Sequence, residues 1–107
     1  MLRVEDAIYS FMRFLVSDYR GGLWHFCELS NGGFYMTPEM QTSQVRVKPT
    51  DFEGRMSADA AGIIACLFAF RYLSVETRSD VLVRHYYLLR DFALEHSEAK
   101  EILAAVD

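Results

Sequence analysis

The sequence predicts a single α+β domain, in which a small antiparallel sheet of three to four strands around a central hairpin packs with about four helices. Three observations predict it. Apolar residues recur at helical spacing over residues 2–19 and again over 79–95, an aromatic-rich stretch is split by Asn31-Gly32, and a charge-free run over 60–70 is apolar on nearly every side. With 107 residues, 51% of them hydrophobic and 24% charged, the chain fits one domain over residues 1–107 and can bury enough surface to offset its ordering entropy.

In the first segment Val4, Ile8, Phe11, Met12 and Leu15 form one stripe, while Arg3, Asp6, Arg13 and Asp18 fall outside it. This is an amphipathic helix, ended by Gly21-Gly22. Residues 23–29 are too short for a helix and rich in aromatic side chains, so they read as a strand. Asn31-Gly32 is a strong hairpin signal, because a type I′ turn needs two residues with positive φ. Residues 33–37 make the return strand. A third strand is expected over 45–48, ended by Pro49, and a weaker fourth over 51–56, interrupted by Gly54.

Ser57 is a good N-cap, and Asp59 lies in the first turn, where the helix dipole favours an acid. Position 60 is alanine, so no local capping box is available. The helix expected over 58–75 is apolar all round, which places it at the centre of the core. A second amphipathic helix follows over 79–95, with Leu82, Tyr86, Leu89, Phe92 and Ala93 inward and Asp80 and Arg84 paired on its flank. Ser97 can then cap a short final helix ending at Val106.

A two-residue turn at Asn31-Gly32 sets the hairpin register: Leu29 opposite Phe34, Glu28 opposite Tyr35, Cys27 opposite Met36. One face would carry Cys27, Leu29, Phe34 and Met36, and the other Trp24, Phe26, Glu28 and Tyr35. Apolar character on both faces is unusual for a small sheet with one side in water. Either a helix covers each side, or the Trp24/Phe26/Tyr35 side binds a partner with Glu28 as its polar contact.

Charge and chemistry exclude several functions. Fifteen acidic against eleven basic residues give a net charge of −4, with no basic field for nucleic acid. The acidic excess is also too small to imitate duplex DNA, which carries a charge about every 1.7 Å of its axis. Cys27 and Cys66 read as free thiols in a cytoplasmic chain, since nothing near the start resembles a signal peptide. The apolar run over 60–70 is shorter than the roughly 18 residues that span a bilayer, so no membrane association is expected. His25 and Cys27 share a strand face, but their side chains start roughly 6.5–7 Å apart, with no orienting Asn or Asp. His85 and His96 would be separated by roughly 16 Å along a helix, too far to share a metal ion. Asp91 and Glu95 read as a solvated face, and Asn31-Gly32-Gly33 opens a strand, which makes no phosphate cradle. No catalytic constellation, metal site or cofactor site is expected.

Two stretches carry more specific information. The run Gly21-Gly22-Leu23-Trp24-His25-Phe26-Cys27-Glu28-Leu29-Ser30-Asn31-Gly32-Gly33-Phe34-Tyr35-Met36 resembles the central hairpin of the ArdB/KlcA antirestriction proteins. Met56-Ser57-Ala58-Asp59-Ala60-Ala61-Gly62-Ile63 is similar to that family's following helix start, and Arg3-Val4-Glu5-Asp6-Ala7-Ile8-Tyr9 and residues 99–106 also resemble it. The resemblance implies a small cytoplasmic inhibitor, typically carried by plasmids or other mobile elements. Such a protein protects incoming DNA from type I restriction-modification endonucleases while leaving methylation largely untouched, and it is not classed as a DNA mimic; the expectation for this chain is inhibition through protein contact. It implies no active site and no cofactor. The expected partner is the type I complex or a host factor on which it depends, without sequence-specific DNA binding. The alternative is a structural or regulatory interaction module that has lost antirestriction activity. Trp24, Phe26, Glu28, Asn31 and Tyr35 in the hairpin, with Ser57 and Asp59 at the helix start, are the candidate partner contacts. Two departures accompany the resemblance: longer relatives carry an N-terminal arm ahead of the first helix, and Cys27 stands where an aromatic residue is expected.

Overall fold

The computed structural model describes residues 3–107, so the expected helix start at residue 2 lies outside the described residues. Along the chain run α1 (Val4–Leu15), β1 (Trp24–Glu28), β2 (Phe34–Pro38), β3 (Thr42–Val47), β4 (Phe52–Ser57), α2 (Ala58–Thr77), α3 (Asp80–Leu94) and α4 (Ala99–Val106), with a 3-10 turn at Lys48–Thr50 between β3 and β4. The fold is α+β, with four helices and four strands among the described residues. The strands are divided between two antiparallel pairs, β1–β2 and β3–β4.

The division has a physical cause in α2. This helix is the centre of the core: Ile63, Ile64, Leu67 and Phe70 are buried on it, and it packs against α1, α3, α4 and β2. It lies so close to β2 that a Cβ added to Gly62 would sit 2.4 Å from the Met36 carbonyl oxygen. One helical turn on, Cys66 meets the same residue. The Met36 backbone N–H donates to Cys66 Sγ (3.3 Å), and the thiol lies 3.7 Å from the Met36 oxygen. The outer edge of β2 is therefore satisfied by a helix side chain, and no further strand can add there.

α1 ends at Leu15, earlier than Gly21-Gly22 would have ended it. Val16 turns extended, bridges to Val45, and Ser17 N–H donates to the Gln44 oxygen (3.3 Å), so these residues cover the edge of β3. Asp18 continues the contact. Its carboxylate accepts from the Gln44 N–H (3.0 Å) and pairs with Arg55 (3.2 Å), and both hold its pKa below the ordinary value of 3.8, the backbone bond contributing most. Because the fold favours the ionised form, the stabilisation is full well above that value and is lost as pH falls through the folded-state pKa. Asp18→Asn is expected to cost about 0.5 kcal/mol at neutral pH, a size limited by solvent screening. Chemical denaturation at a series of pH values should show the difference closing below pH 3.8.

The hairpin register differs from the expected one by a single residue. Glu28 faces Phe34, Cys27 faces Tyr35, Phe26 faces Met36 and Trp24 faces Pro38. A type I′ turn would put Asn31 at positive φ, but outside glycine the described residues with positive φ are Asp51 and Arg78. Instead Leu29 N–H donates to the Gly33 oxygen (2.9 Å), which leaves a three-residue loop with Gly32 at φ +95°. Asn31 holds the loop from outside the ladder: its side-chain oxygen accepts from Gly33 N–H and its amide donates to the Leu88 oxygen of α3, both at 2.9 Å. The one-residue slip moves Tyr35 to the other face from Trp24, Phe26 and Glu28. Two further expectations at the C-terminal end fail. Ser97 does not cap α4, whose N-cap is Glu98, and Asp80 and Arg84 are not among the ion pairs of the described residues.

Candidate functional site

The start of α2 gathers three of the sequence-selected residues into one polar cluster. Ser57 caps the helix, its Oγ accepting from Ala60 N–H (3.0 Å). Ala60 is fully buried, so position N3 has no room for the acid that completes a capping box. Glu98 supplies it from the other end of the fold. Its carboxylate accepts from the Ser57 backbone N–H (3.0 Å) and from the Ser57 hydroxyl (2.5 Å). Asp59 sits beside this pair, accepting from Tyr35 Oη–H (2.6 Å) and from His96 Nε2–H (2.7 Å). His96 Nδ1 in turn accepts from the Glu98 backbone N–H (2.9 Å), which assigns the imidazole proton to Nε2. Burial and the neighbouring Asp59 carboxylate push the Tyr35 phenol well above its usual range, so it remains a donor.

A His–Asp pair beside a serine suggests acid–base chemistry, and the geometry argues against it. Both ring nitrogens of His96, both oxygens of Asp59 and the Ser57 hydroxyl are committed to neighbours. What the cluster does is tie β2, the start of α2 and the α3–α4 turn together. Next to it opens a groove of about 610 Å³, lined by His25, Thr37, Glu39, Gln41, Ser57 and Asp59 among others. Neither thiol is among the residues lining that groove: Cys66 is fully buried, which pushes its thiol up to about 12, and half-buried Cys27 lies across the ladder from Tyr35.

Trp24, Phe26 and Glu28 lie elsewhere, on the hairpin face that carries Phe34 and Met36. Trp24 is packed by α1 and the loop after it. Its ring lies 5.1 Å from Tyr9 and 5.8 Å from Tyr19, and its indole N–H donates to the Tyr19 hydroxyl (2.9 Å). Phe26 stacks on Phe34 (5.1 Å) yet remains 59% exposed, and Glu28 is exposed. A groove of about 420 Å³ runs beside them, lined by Tyr9, Arg13, Tyr19, Leu23, Trp24, Phe26 and Met36. The sequence-selected residues thus fall into two groups, with Asn31 fastening the hairpin tip. Sequence reasoning gave no role to Glu98 or Tyr19, weighed His96 only as half of a metal pair with His85, and placed Arg13 only on the polar side of the first helix. A signal for some distant acceptor was present, though not for which residue supplies it: an N-cap serine whose N3 position is apolar leaves a backbone donor unsatisfied locally.

A sequence profile described as antirestriction protein matches residues 17–107. The chain belongs to the antirestriction protein family. This antirestriction protein is 46% identical over 112 residues to an antirestriction protein KlcA of Escherichia coli, the match covering all of this chain and 77% of the relative. It is 38% identical over 109 residues to YafX, an uncharacterised protein of Escherichia coli strain K12, covering 99% of this chain and 72% of that one. A solved structure from work on the KlcA and ArdB proteins superposes with a TM-score of 0.91 at 43% identity, covering 98% of this chain and 78% of the other. Those two proteins are described as having a novel fold and antirestriction activity against type I DNA restriction systems in vivo but not in vitro.

Proposed function

We propose that this antirestriction protein protects incoming mobile-element DNA in the cytoplasm by inhibiting type I restriction-modification endonucleases, through contact with another protein and without catalysis. The observation that carries the reading is the whole-chain agreement in fold and sequence with proteins of that activity. Protein contact, as opposed to DNA imitation, is supported by a net charge of only −4 and by the exposed aromatic surface around Phe26. The committed state of His96, Asp59 and Ser57 supports a non-enzymatic role. A target among host factors on which restriction depends, in place of the endonuclease itself, gains support from the relatives' activity in vivo but not in vitro.

Unmodified phage plated on a host with an active type I system tests the reading. Expression of the protein should raise plating efficiency, and unchanged restriction would remove it. Glu28 is exposed and makes no side-chain ion pair among the described residues, so Glu28→Ala is a clean probe of the hairpin contact. Removing an interface anchor of this kind should reduce protection about tenfold with unchanged thermal stability. Full protection by that variant would take Glu28 out of the contact surface.

A further inference from the structure

The two edges of the hairpin are treated differently. Leu23–Glu39, Cys27–Tyr35 and Leu29–Gly33 belong to the hydrogen-bonded set of the ladder, as the bonds from Glu39 N–H to Leu23 and from Leu29 N–H to Gly33 show. Alternation in an antiparallel pair then turns the backbone groups of Trp24, Phe26 and Glu28 outward, as it turns those of Met36 toward Cys66 on the opposite edge. On the β2 edge α2 closes the row. On the β1 edge nothing does: among the described residues these three positions make no backbone hydrogen bond outside the hairpin, and β2 is the strand beside β1, although the Trp24 ring packs on Tyr9 of α1.

Edge strands normally carry a device against pairing, such as a lysine, a proline or a bulge. The segment Trp-His-Phe-Cys-Glu has none of these, and its one formally charged side chain, Glu28, stands at the far end. It is instead flanked by exposed apolar side chains, Leu23 at 71% and Phe26 at 59%. The groove beside it is aromatic, and its charge comes from Arg13, which forms no ion pair among the described residues.

We propose that the outer edge of β1 receives an extended segment of a partner protein as an added strand, one that carries an acid two residues from an aromatic side chain, so that both lie on the side of the Trp24/Phe26 groove, the ring entering it and the acid meeting Arg13. Main-chain bonds to Trp24, Phe26 and Glu28 supply affinity, and the groove supplies selectivity. The inference rests on the reading of this protein as one that acts by protein contact, and it names the surface and the kind of segment that surface accepts.

Backbone amide hydrogen exchange on the intact chain tests it, with a synthetic ten-residue peptide in which every second residue is Phe or Glu in turn and Thr stands between them, so that rings and acids share one face, as the probe. The peptide should slow exchange at Trp24, Phe26 and Glu28 by about tenfold or more and leave the Cys27 amide, already bonded across the ladder, unchanged. The same peptide with Lys in place of Glu should have little effect. Phe26→Pro removes an outward N–H that takes no part in the β1–β2 ladder, so the hairpin should survive while the response to the peptide is lost. Arg13→Glu, at an exposed side chain, keeps the edge intact and should exchange the preference for the acidic peptide for the basic one. No slowing at saturating peptide overturns the proposal. So does slowing that needs no peptide and grows with protein concentration, since the occupant is then a second copy of this chain. In the plating assay, a protective wild type with fully protective folded Phe26→Pro and Arg13→Glu variants rejects the edge while leaving antirestriction activity in place. A wild type without protection rejects the functional reading, and the exchange experiment still decides the edge.

Discussion

Gly62→Ala is expected to lower the stability of this protein by about 2 kcal/mol or more, although alanine is the better helix former by about 1 kcal/mol. The added methyl would lie 2.4 Å from the Met36 carbonyl oxygen and 2.9 Å from Thr37 Cα, both on backbone that no side-chain rotation can move. α2 would have to retreat from β2. That retreat also lengthens the Met36–Cys66 contact, so the outer edge of the strand loses its acceptor along with its packing. Thermal unfolding should show a fall in Tm of about 10 °C for a domain of this size. An unchanged Tm would mean that the helix does not seat on the strand at this distance.

Glu98→Ala is the second large effect, expected to cost about 2 kcal/mol, because two charge-assisted bonds to Ser57 are lost and its half-buried N–H is left without an acceptor. Glu98→Gln keeps the shape but gives up the charge, and should cost about half as much. Ser57→Ala alone should cost about 1 kcal/mol as an ordinary N-cap loss. The Ser57→Ala/Glu98→Ala double variant should be less destabilised than the sum of the two single variants, by about 1 kcal/mol in denaturant titration. Strict additivity would show that the two residues act independently.

What could be read in the sequence followed from local chemistry. The all-round apolar pattern of α2, the serine at its start and the alternation of helical stripes in α1 and α3 each needed only neighbours within a few residues. The hairpin turn shows where that stops. Asn31-Gly32-Gly33 is compatible with either a two- or a three-residue loop, and the choice between them accompanies a bond from Asn31 to Leu88, 57 positions away. One residue of register was enough to send Tyr35 to Asp59 and away from Trp24. Likewise Ala60 says only that the capping acid is missing locally; nothing near it points to Glu98. The two cysteines were legible as free thiols, but that Cys66 serves as the acceptor for a strand edge depends on how close α2 lies to β2.

The bond between Ser57 and Glu98 spans 41 positions, which bears on how the molecule is made as well as on how it holds together. A nascent chain emerging from the ribosome presents the beginning of the central helix long before its completing acid has been synthesised. Until then that first turn has only the serine hydroxyl to restrain it, and closing so long a loop is paid for in chain entropy. Final consolidation is accordingly a late, near-complete-chain event, and forms shortened ahead of Glu98 should leave the first turn frayed however well the hairpin has assembled.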